Sequence, residues 1–179
     1  MAPTSLNQIA VELSLQTDLT GSAMAGPWVE DLLANPWQGW CQHWLDCLAE
    51  ALPPAPSYEL TLLFTGDRRI QQLNRQFRHQ DKPTDVLAFA ALEVDFPLTE
   101  SEEMEEPLYL GDIVISLERA DHQARERGHS TKLEVVWLTA HGLLHLLGWD
   151  HPDEASLTTM LSQQSHLLNL IGQHPPLFV

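Results

Sequence analysis

The stretch HGLLHLLGWDH, residues 141–151, places three histidines at fixed intervals inside an otherwise apolar run. His141 and His145 are four residues apart, so on a helix both imidazoles project from one face with their Cβ atoms about 5–6 Å apart. Gly148 follows the last apolar residues, where a helix commonly ends in a left-handed turn that glycine adopts without strain. A chain that reverses there can bring His151 back to the first two histidines. The pattern predicts a metal site at the end of a long helix.

Three imidazoles on so apolar a helix favour a metal ion over satisfied core histidines, because a buried imidazole without a partner is costly. Neutral imidazole suits zinc, nickel, copper and iron. We expect one zinc ion per chain, with nickel or another divalent metal as the alternative. Three protein ligands leave one coordination position open, which is typical of catalytic rather than structural zinc.

The same spacing occurs in the metzincin proteases, which carry a glutamate general base directly after the first histidine. This chain has Gly142 at that position. A metalloprotease-like hydrolase therefore stays an alternative that needs another group to carry the proton. Hydrolysis of an unstructured protein would favour it.

Length and charge limit the class of protein. The 179 residues, 44% of them hydrophobic, predict a single domain over residues 1–179 with no dividing linker. The formal net charge of −16 excludes a protein that coats nucleic acid or anionic membrane by charge alone. The chain has no stretch of ~18 apolar residues and no secretory signal pattern, so we expect a cytoplasmic protein with no membrane partner. Cys41 and Cys47 are expected to be buried and unpaired.

Hydrophobic periodicity predicts helices around a small sheet. Residues 11–16 and 58–64 alternate as half-buried strands do, whereas residues 85–92 and 108–116 are continuously apolar, as in interior strands covered on both faces. The first predicted helix ends before Pro53. The second covers residues 67–77, with Asp67 as its cap and Ile70, Leu73 and Phe77 buried. Three more are predicted: residues 118–128, a helix from a Thr131/Glu134 capping box to about Leu147, and one from a capping Asp153 toward Gly172.

Charge is unevenly distributed along the chain. Residues 93–107 hold seven of the 25 acidic residues and no Lys or Arg, which is typical of a mobile, solvated loop. Residues 68–82 hold five of the nine basic residues and one acid, Asp81. This basic stretch is either an ordinary solvated helix face or a local path for phosphates.

Three ordered stretches resemble the YbeY family of bacterial and organellar endoribonucleases: HGLLHLLGWDH, LNRQFRHQDKPTDVLAF (73–89) and LGDIVIS (110–116). The resemblance covers about residues 58–170. It implies an α+β fold with a small mixed sheet and a three-histidine metal site at the end of a central helix. It also implies a metal-dependent endoribonuclease specific for single-stranded RNA, acting in ribosomal RNA maturation (16S rRNA 3′ end processing) and ribosome quality control. The implied partners are rRNA and the ribosome or its proteins, and no DNA.

The same resemblance implies the site residues. His141, His145 and His151 would hold the metal, Arg78 would lie beside it, and Arg78 and His141 would be the catalytic residues. A metal and a fixed guanidinium together stabilise charge that builds on phosphoryl oxygens. A water and the RNA's own 2′-hydroxyl both stay open as the nucleophile. Ala88 and Ala90 stand where the family usually has Ser and Pro.

Three alternatives stay open. Arg78 could instead pair with Asp81 on the surface. Asp85 and Asp112 are expected to orient a histidine or cap a loop rather than to catalyse, because an unpaired carboxylate beside an apolar strand is costly. The whole chain could also be a non-catalytic, ribosome-associated module whose metal only stabilises the fold, which metal removal would reveal by unfolding it.

Overall fold

The computed structural model describes residues 9–24, 26–93 and 106–174. Within these ranges the chain forms four strands and six helices. The strands are β1 (Val11–Asp18), β2 (Tyr58–Thr65), β3 (Val86–Ala90) and β4 (Leu108–Ser116). The helices are α1 (Pro27–Leu33), α2 (Trp37–Cys47), α3 (Asp67–Arg78), α4 (Leu117–Arg127), α5 (Thr131–Leu146) and α6 (Glu154–Leu170), with short 3-10 turns at Ala49–Ala51 and Ala91–Glu93.

The strands form one sheet in the order β1-β2-β4-β3. Strands β1, β2 and β4 are parallel, and β3 runs antiparallel to β4 with Leu87 opposite Val114. The predicted α+β fold with a small mixed sheet is therefore confirmed. The expectation of an interior strand holds for β4 and is wrong for β3, which lies at the sheet edge.

The apolar run of β3 has a different cause. Leu87 and Phe89 face α3, where they join Ile70 and Val114 in a small hydrophobic cluster. Val86, Ala88 and Ala90 alternate with them and pack toward the main core. Both faces of β3 are partly covered although it is an edge strand, so its composition reports side-chain burial and not the number of neighbouring strands.

The main core lies on the other face of the sheet from α3. It packs the sheet against α2, α5 and α6, and its largest fully buried side chains include Trp37, Trp44 and Phe64. The indole N–H of Trp44 donates to the Leu167 carbonyl at 2.8 Å, which satisfies the buried donor and ties α2 to α6. Helix α5 is buried along most of its length and positions the predicted metal site.

Several local predictions about burial and capping need correction. Phe77 is 56% exposed, because it lies on the last turn of α3. Cys41 is buried as predicted, but Cys47 is exposed. Gly66, not Asp67, is the N-cap of α3. The carboxylate of Asp67 instead accepts hydrogen bonds from Ser116 and Arg119, the latter through Nε at 3.0 Å, and so joins α3 to α4.

The predicted capping box of α5 is also wrong. Ser130 is the N-cap and accepts from the backbone N–H of Leu133, while the Thr131 hydroxyl donates to Asp121. Glu134 is fully buried instead, and its carboxylate binds the side chains of Arg127 and His129. A charged group can occupy this core position because both oxygens have partners. The cap that Asp153 provides for α6 is confirmed, and α4 ends at Gly128, which has the left-handed conformation.

Most of the predicted acidic loop, residues 94–105, lies outside the described residues. Among the helices of the described ranges, none is long and apolar enough to cross a membrane.

Candidate metal centre

The three predicted histidines converge at the C-terminal end of α5. His141 and His145 lie one turn apart on that helix, and their Nε2 atoms are 3.1 Å from each other. Gly148 has φ +86°, the left-handed conformation expected where the helix ends. The reversed chain then brings in His151, whose ring centroid is 5.6 Å from that of His141 and 5.3 Å from that of His145.

The donor set of this cluster fits a divalent metal ion. One ligand nitrogen from each histidine can be chosen so that all three lie within 4.8 Å of one another. Tetrahedral zinc with Zn–N distances of about 2.0–2.1 Å places its ligand nitrogens roughly 3.3 Å apart, so small side-chain rotations suffice. His151 is exposed while the other two are half-buried, which leaves one side of the cluster open to the cleft.

The surroundings of His141 and His145 favour the neutral form of imidazole, which is the form that binds metal. Burial lowers the pKa of His141, and the charge of His151 lowers it further, against the opposing effects of Gln164 and Asp85. Burial also lowers the pKa of His145, and both neighbouring histidines add to that shift. Since a protonated imidazole has no lone pair for a metal, the arrangement favours ligation near neutral pH.

A buried glutamine orients the first histidine. Gln164 of α6 is fully buried, and its amide nitrogen donates to the Trp137 carbonyl at 2.9 Å. That bond turns the amide oxygen toward Nδ1 of His141, 3.2 Å away. With the proton on Nδ1, Nε2 of His141 presents its lone pair to the cluster. Metal-binding histidines commonly donate their other ring N–H to an oxygen in this way.

Sequence analysis missed Gln164, although a signal was present. Gln164 lies four residues after Met160 and three before Leu167, on the apolar stripe of α6. A polar side chain at a core position requires a buried partner. Only the tertiary structure identifies that partner as a histidine on another helix.

Arg78 reaches the same cleft from the other side of the sheet edge. A cleft of about 410 Å³ is lined by Arg78, by Val86, Ala88 and Ala90 of β3, and by His141, Gly142, His145, Gly148, Trp149 and Asp150. Nη2 of Arg78 donates to the Ala88 carbonyl at 3.1 Å, which fixes the guanidinium above β3. The surface ion pair of Asp81 is formed by Arg75 at 4.0 Å, so the alternative partner considered for Arg78 is taken by another arginine.

The two strand-associated aspartates have structural partners. Asp85 accepts from the backbone N–H of Val86 at 2.8 Å and from Gln123 at 3.0 Å, which fixes the turn that enters β3. Asp112 accepts from the Tyr109 hydroxyl at 2.6 Å on the sheet surface. These contacts agree with the structural roles expected for both carboxylates.

Gly142 occupies the position of the protease glutamate for a packing reason. Helix α5 lies so close to β4 here that a Cβ on Gly142 would be 2.7 Å from Cγ2 of Ile113. Such a separation is well inside van der Waals contact, so a larger residue would push α5 from the sheet. The fold therefore disfavours the protease arrangement at this site.

Comparison with known proteins assigns this arrangement to a family. Residues 29–172 match the family described as Endoribonuclease YbeY. The chain belongs to the YbeY family. Its curated relatives include an Endoribonuclease YbeY of Synechocystis sp., 88% identical over 99% of both chains, and one of Nostoc sp., 61% identical over 76% of this chain and 73% of the relative. Membership confirms the predicted class of enzyme, an endoribonuclease with RNA as its substrate.

A solved structure with low sequence identity to this chain also supports the fold. The solution structure of a Thermotoga maritima protein matches this YbeY-family chain with a TM-score of 0.52 over 90% of each chain. The two sequences are only 23% identical. The likeness shows that the fold persists through extensive sequence change.

Proposed function

We propose that this chain cleaves single-stranded RNA with a metal ion held by His141, His145 and His151 and with Arg78 as the residue that stabilises developing phosphate charge. The observation that carries the proposal is that Arg78 of α3 lines the same cleft as His141 and His145 of α5, with which His151 forms a cluster. The whole chain, residues 1–179, is proposed to act as one domain.

The proposed metal is zinc, because catalytic zinc is commonly bound by three protein ligands such as neutral imidazoles, with one coordination position open. Nickel or another divalent ion that binds imidazole is the alternative. When bound, the ion supplies Lewis-acid stabilisation of a phosphoryl oxygen. His141 serves the reaction as a ligand whose orientation Gln164 sets. The cleft accepts the phosphodiester, and the half-buried positions of His141 and His145 keep their imidazoles neutral and available.

Arg78 contributes by position and charge. One nitrogen of its guanidinium is engaged by the Ala88 carbonyl, so the group is held over the cleft with other N–H groups directed away from that bond. Charge that develops on phosphoryl oxygens strengthens such hydrogen bonds in the transition state. Arg78 thus stabilises the transition state more than the bound RNA, which raises turnover.

The biological role follows from the family as a proposal. The substrate would be ribosomal RNA, with processing of the 16S rRNA 3′ end and ribosome quality control as the tasks, in the cytoplasm and in contact with the ribosome or its proteins. The ribosome or its proteins would bring the RNA to the enzyme. The net charge of −16 supports this proposal, because it repels free RNA at long range and leaves binding to the local basic stretch, residues 68–82.

The test is single-turnover cleavage of a single-stranded RNA at saturating enzyme, with bound metal measured for each variant. Arg78→Ala should lower the rate about 10²–10³-fold with metal content unchanged, the usual effect of losing one transition-state donor. Arg75→Ala is the matched control, because this exposed arginine three residues earlier pairs with Asp81 and should affect only binding and its salt dependence. Equal rates for wild type and Arg78→Ala would refute the catalytic role.

A metal that serves only the fold predicts a different result. Chelation of the metal should then unfold the domain, whereas a catalytic metal leaves it folded and inactive. The main core supports the second outcome, since it packs the sheet against α2, α5 and α6 without the histidine side chains.

A further inference from the structure

Phe77 is the most exposed of the large hydrophobic side chains in the described residues, at 56%. It lies on the last turn of α3, directly before Arg78. A single exposed apolar side chain is ordinary on a protein surface. Its neighbours distinguish this one.

The side chains of Phe77 and Arg78 lie on either side of the edge strand. Arg78 donates to the carbonyl of Ala88, which lines the metal cleft. Phe77 contacts the next residue of β3, Phe89, with ring centroids 5.1 Å apart and planes inclined at 64°. This edge-to-face contact fixes the Phe77 ring while more than half of its side chain stays open to solvent.

Phe77 belongs to the basic stretch of the sequence, residues 68–82, in an otherwise acidic protein. Arg75, Arg78 and Lys82 lie within five residues of it, and Asp81 is the one acid of residues 68–82. Proteins commonly bind unpaired nucleotides with basic side chains along the sugar-phosphate backbone and an aromatic ring that stacks on a base. Such stacking tolerates any sequence, because every base has a flat face. The same charges disfavour a basic peptide or a second copy's own basic surface at this position.

We propose that Phe77, braced by Phe89, is the stacking platform for an unpaired nucleobase that flanks the phosphate contacted by Arg78. The proposal rests on the proposed function, because it places the platform on the path of the cleaved strand. Stacking requires a single-stranded base with a free face, so a paired base cannot use the platform. Phe77 thereby links preference for single-stranded RNA to a defined residue outside the metal cleft.

The experiment uses one single-stranded RNA and a set of copies that each carry a single abasic nucleotide near the mapped cleavage position. Wild type, Phe77→Leu and Phe77→Trp are compared with Leu170→Ala, which trims another exposed apolar side chain on α6 (43% exposed). KM and kcat are measured for each pair of protein and RNA. Thermal unfolding checks that the variants are folded, and the abasic series in wild type tests the platform without any variant.

With intact RNA, Phe77→Leu should raise KM roughly fivefold to 100-fold with little change in kcat, and Phe77→Trp should keep tight binding. One abasic position should reproduce this rise in wild type and add nothing in Phe77→Leu, since both changes remove the same stack. Leu170→Ala should match wild type.

Equal KM for Phe77→Leu and wild type, or abasic effects of the same size in both proteins, would overturn the platform while cleavage by wild type leaves the proposed function standing. Absence of RNA cleavage and RNA binding by metal-loaded wild type would refute the proposed function and the platform together.

Discussion

Replacement of Gln164 by leucine tests whether the outer contact of His141 contributes to metal binding. The amide makes a buried hydrogen bond to the Trp137 carbonyl at 2.9 Å and a partly buried one to Nδ1 of His141 at 3.2 Å. Leucine has a similar volume and fills the site, so the principal loss is the acceptor that holds the Nδ1 proton of His141. The imidazole then rotates and exchanges tautomers more freely.

The expected magnitude follows from that loss. Removing an outer hydrogen bond from a metal ligand typically costs 10–100-fold in metal affinity, or about 1.4–2.7 kcal/mol. The metal-free protein should also lose about 1 kcal/mol of stability, the low end for an unpaired donor, because the His141 N–H is left without its acceptor at a half-buried position. Both effects act through His141 and should leave the ligand set itself intact.

The assay is zinc competition against a chromophoric chelator with metal-stripped protein, alongside denaturant unfolding. Gln163→Leu is a matched control, because it makes the same change one residue earlier at a partly exposed position. Nitrogen NMR of the histidine rings should show a fixed Nδ1–H tautomer for His141 in wild type and its loss in Gln164→Leu. Zinc affinity of Gln164→Leu within twofold of that of Gln163→Leu would refute the orienting role.

Three further outcomes test the packing. Glu134→Ala should lower the free energy of unfolding by about 3 kcal/mol in a denaturant titration. This is the low end for a broken buried ion pair, because the partner Arg127 is 39% exposed, and a loss under 1 kcal/mol would contradict it. Gly142→Ala should lower the free energy of unfolding by about 1 kcal/mol. Gly39→Ala within α2, where an added Cβ has no neighbour within 4 Å, should raise it by up to ~1 kcal/mol, and equal signs would refute the close approach of α5 to β4. At pH 8 a thiol reagent should label the exposed Cys47 in the native protein but Cys41 only on unfolding, because burial shields the Cys41 thiol and raises its pKa to about 12. Equal labelling rates for the two cysteines in the native protein would refute this prediction.

The sequence predicted those parts of the fold and site that local patterns determine. The strand alternation of residues 11–16 and the termination of α5 at Gly148 depend on neighbours in the chain, and both are observed. The three-histidine cluster was predictable for the same reason, because spacing on one helix and one turn brings the rings together.

Other features depend on contacts between distant segments. The apolar composition of β3 could not reveal that it is an edge strand, since side chains on both of its faces are at least partly buried. The exposure of Phe77 depends on where α3 extends over that edge. Gln164 acquires its role only when α6 packs on α5 and places the amide beside His141. Propensity and periodicity carry no information about such partners.

The position of β3 has a consequence for how the activity would respond to denaturant. Among the described strands this five-residue strand pairs only with β4, and its Ala88 carbonyl accepts the hydrogen bond that holds Arg78 at the cleft. Local opening of a sheet edge requires less free energy than global unfolding. Catalytic competence would then depend on the least protected part of the sheet, and amide hydrogen exchange in β3 would report the fraction of molecules able to cut RNA while the tryptophan-rich core is still folded.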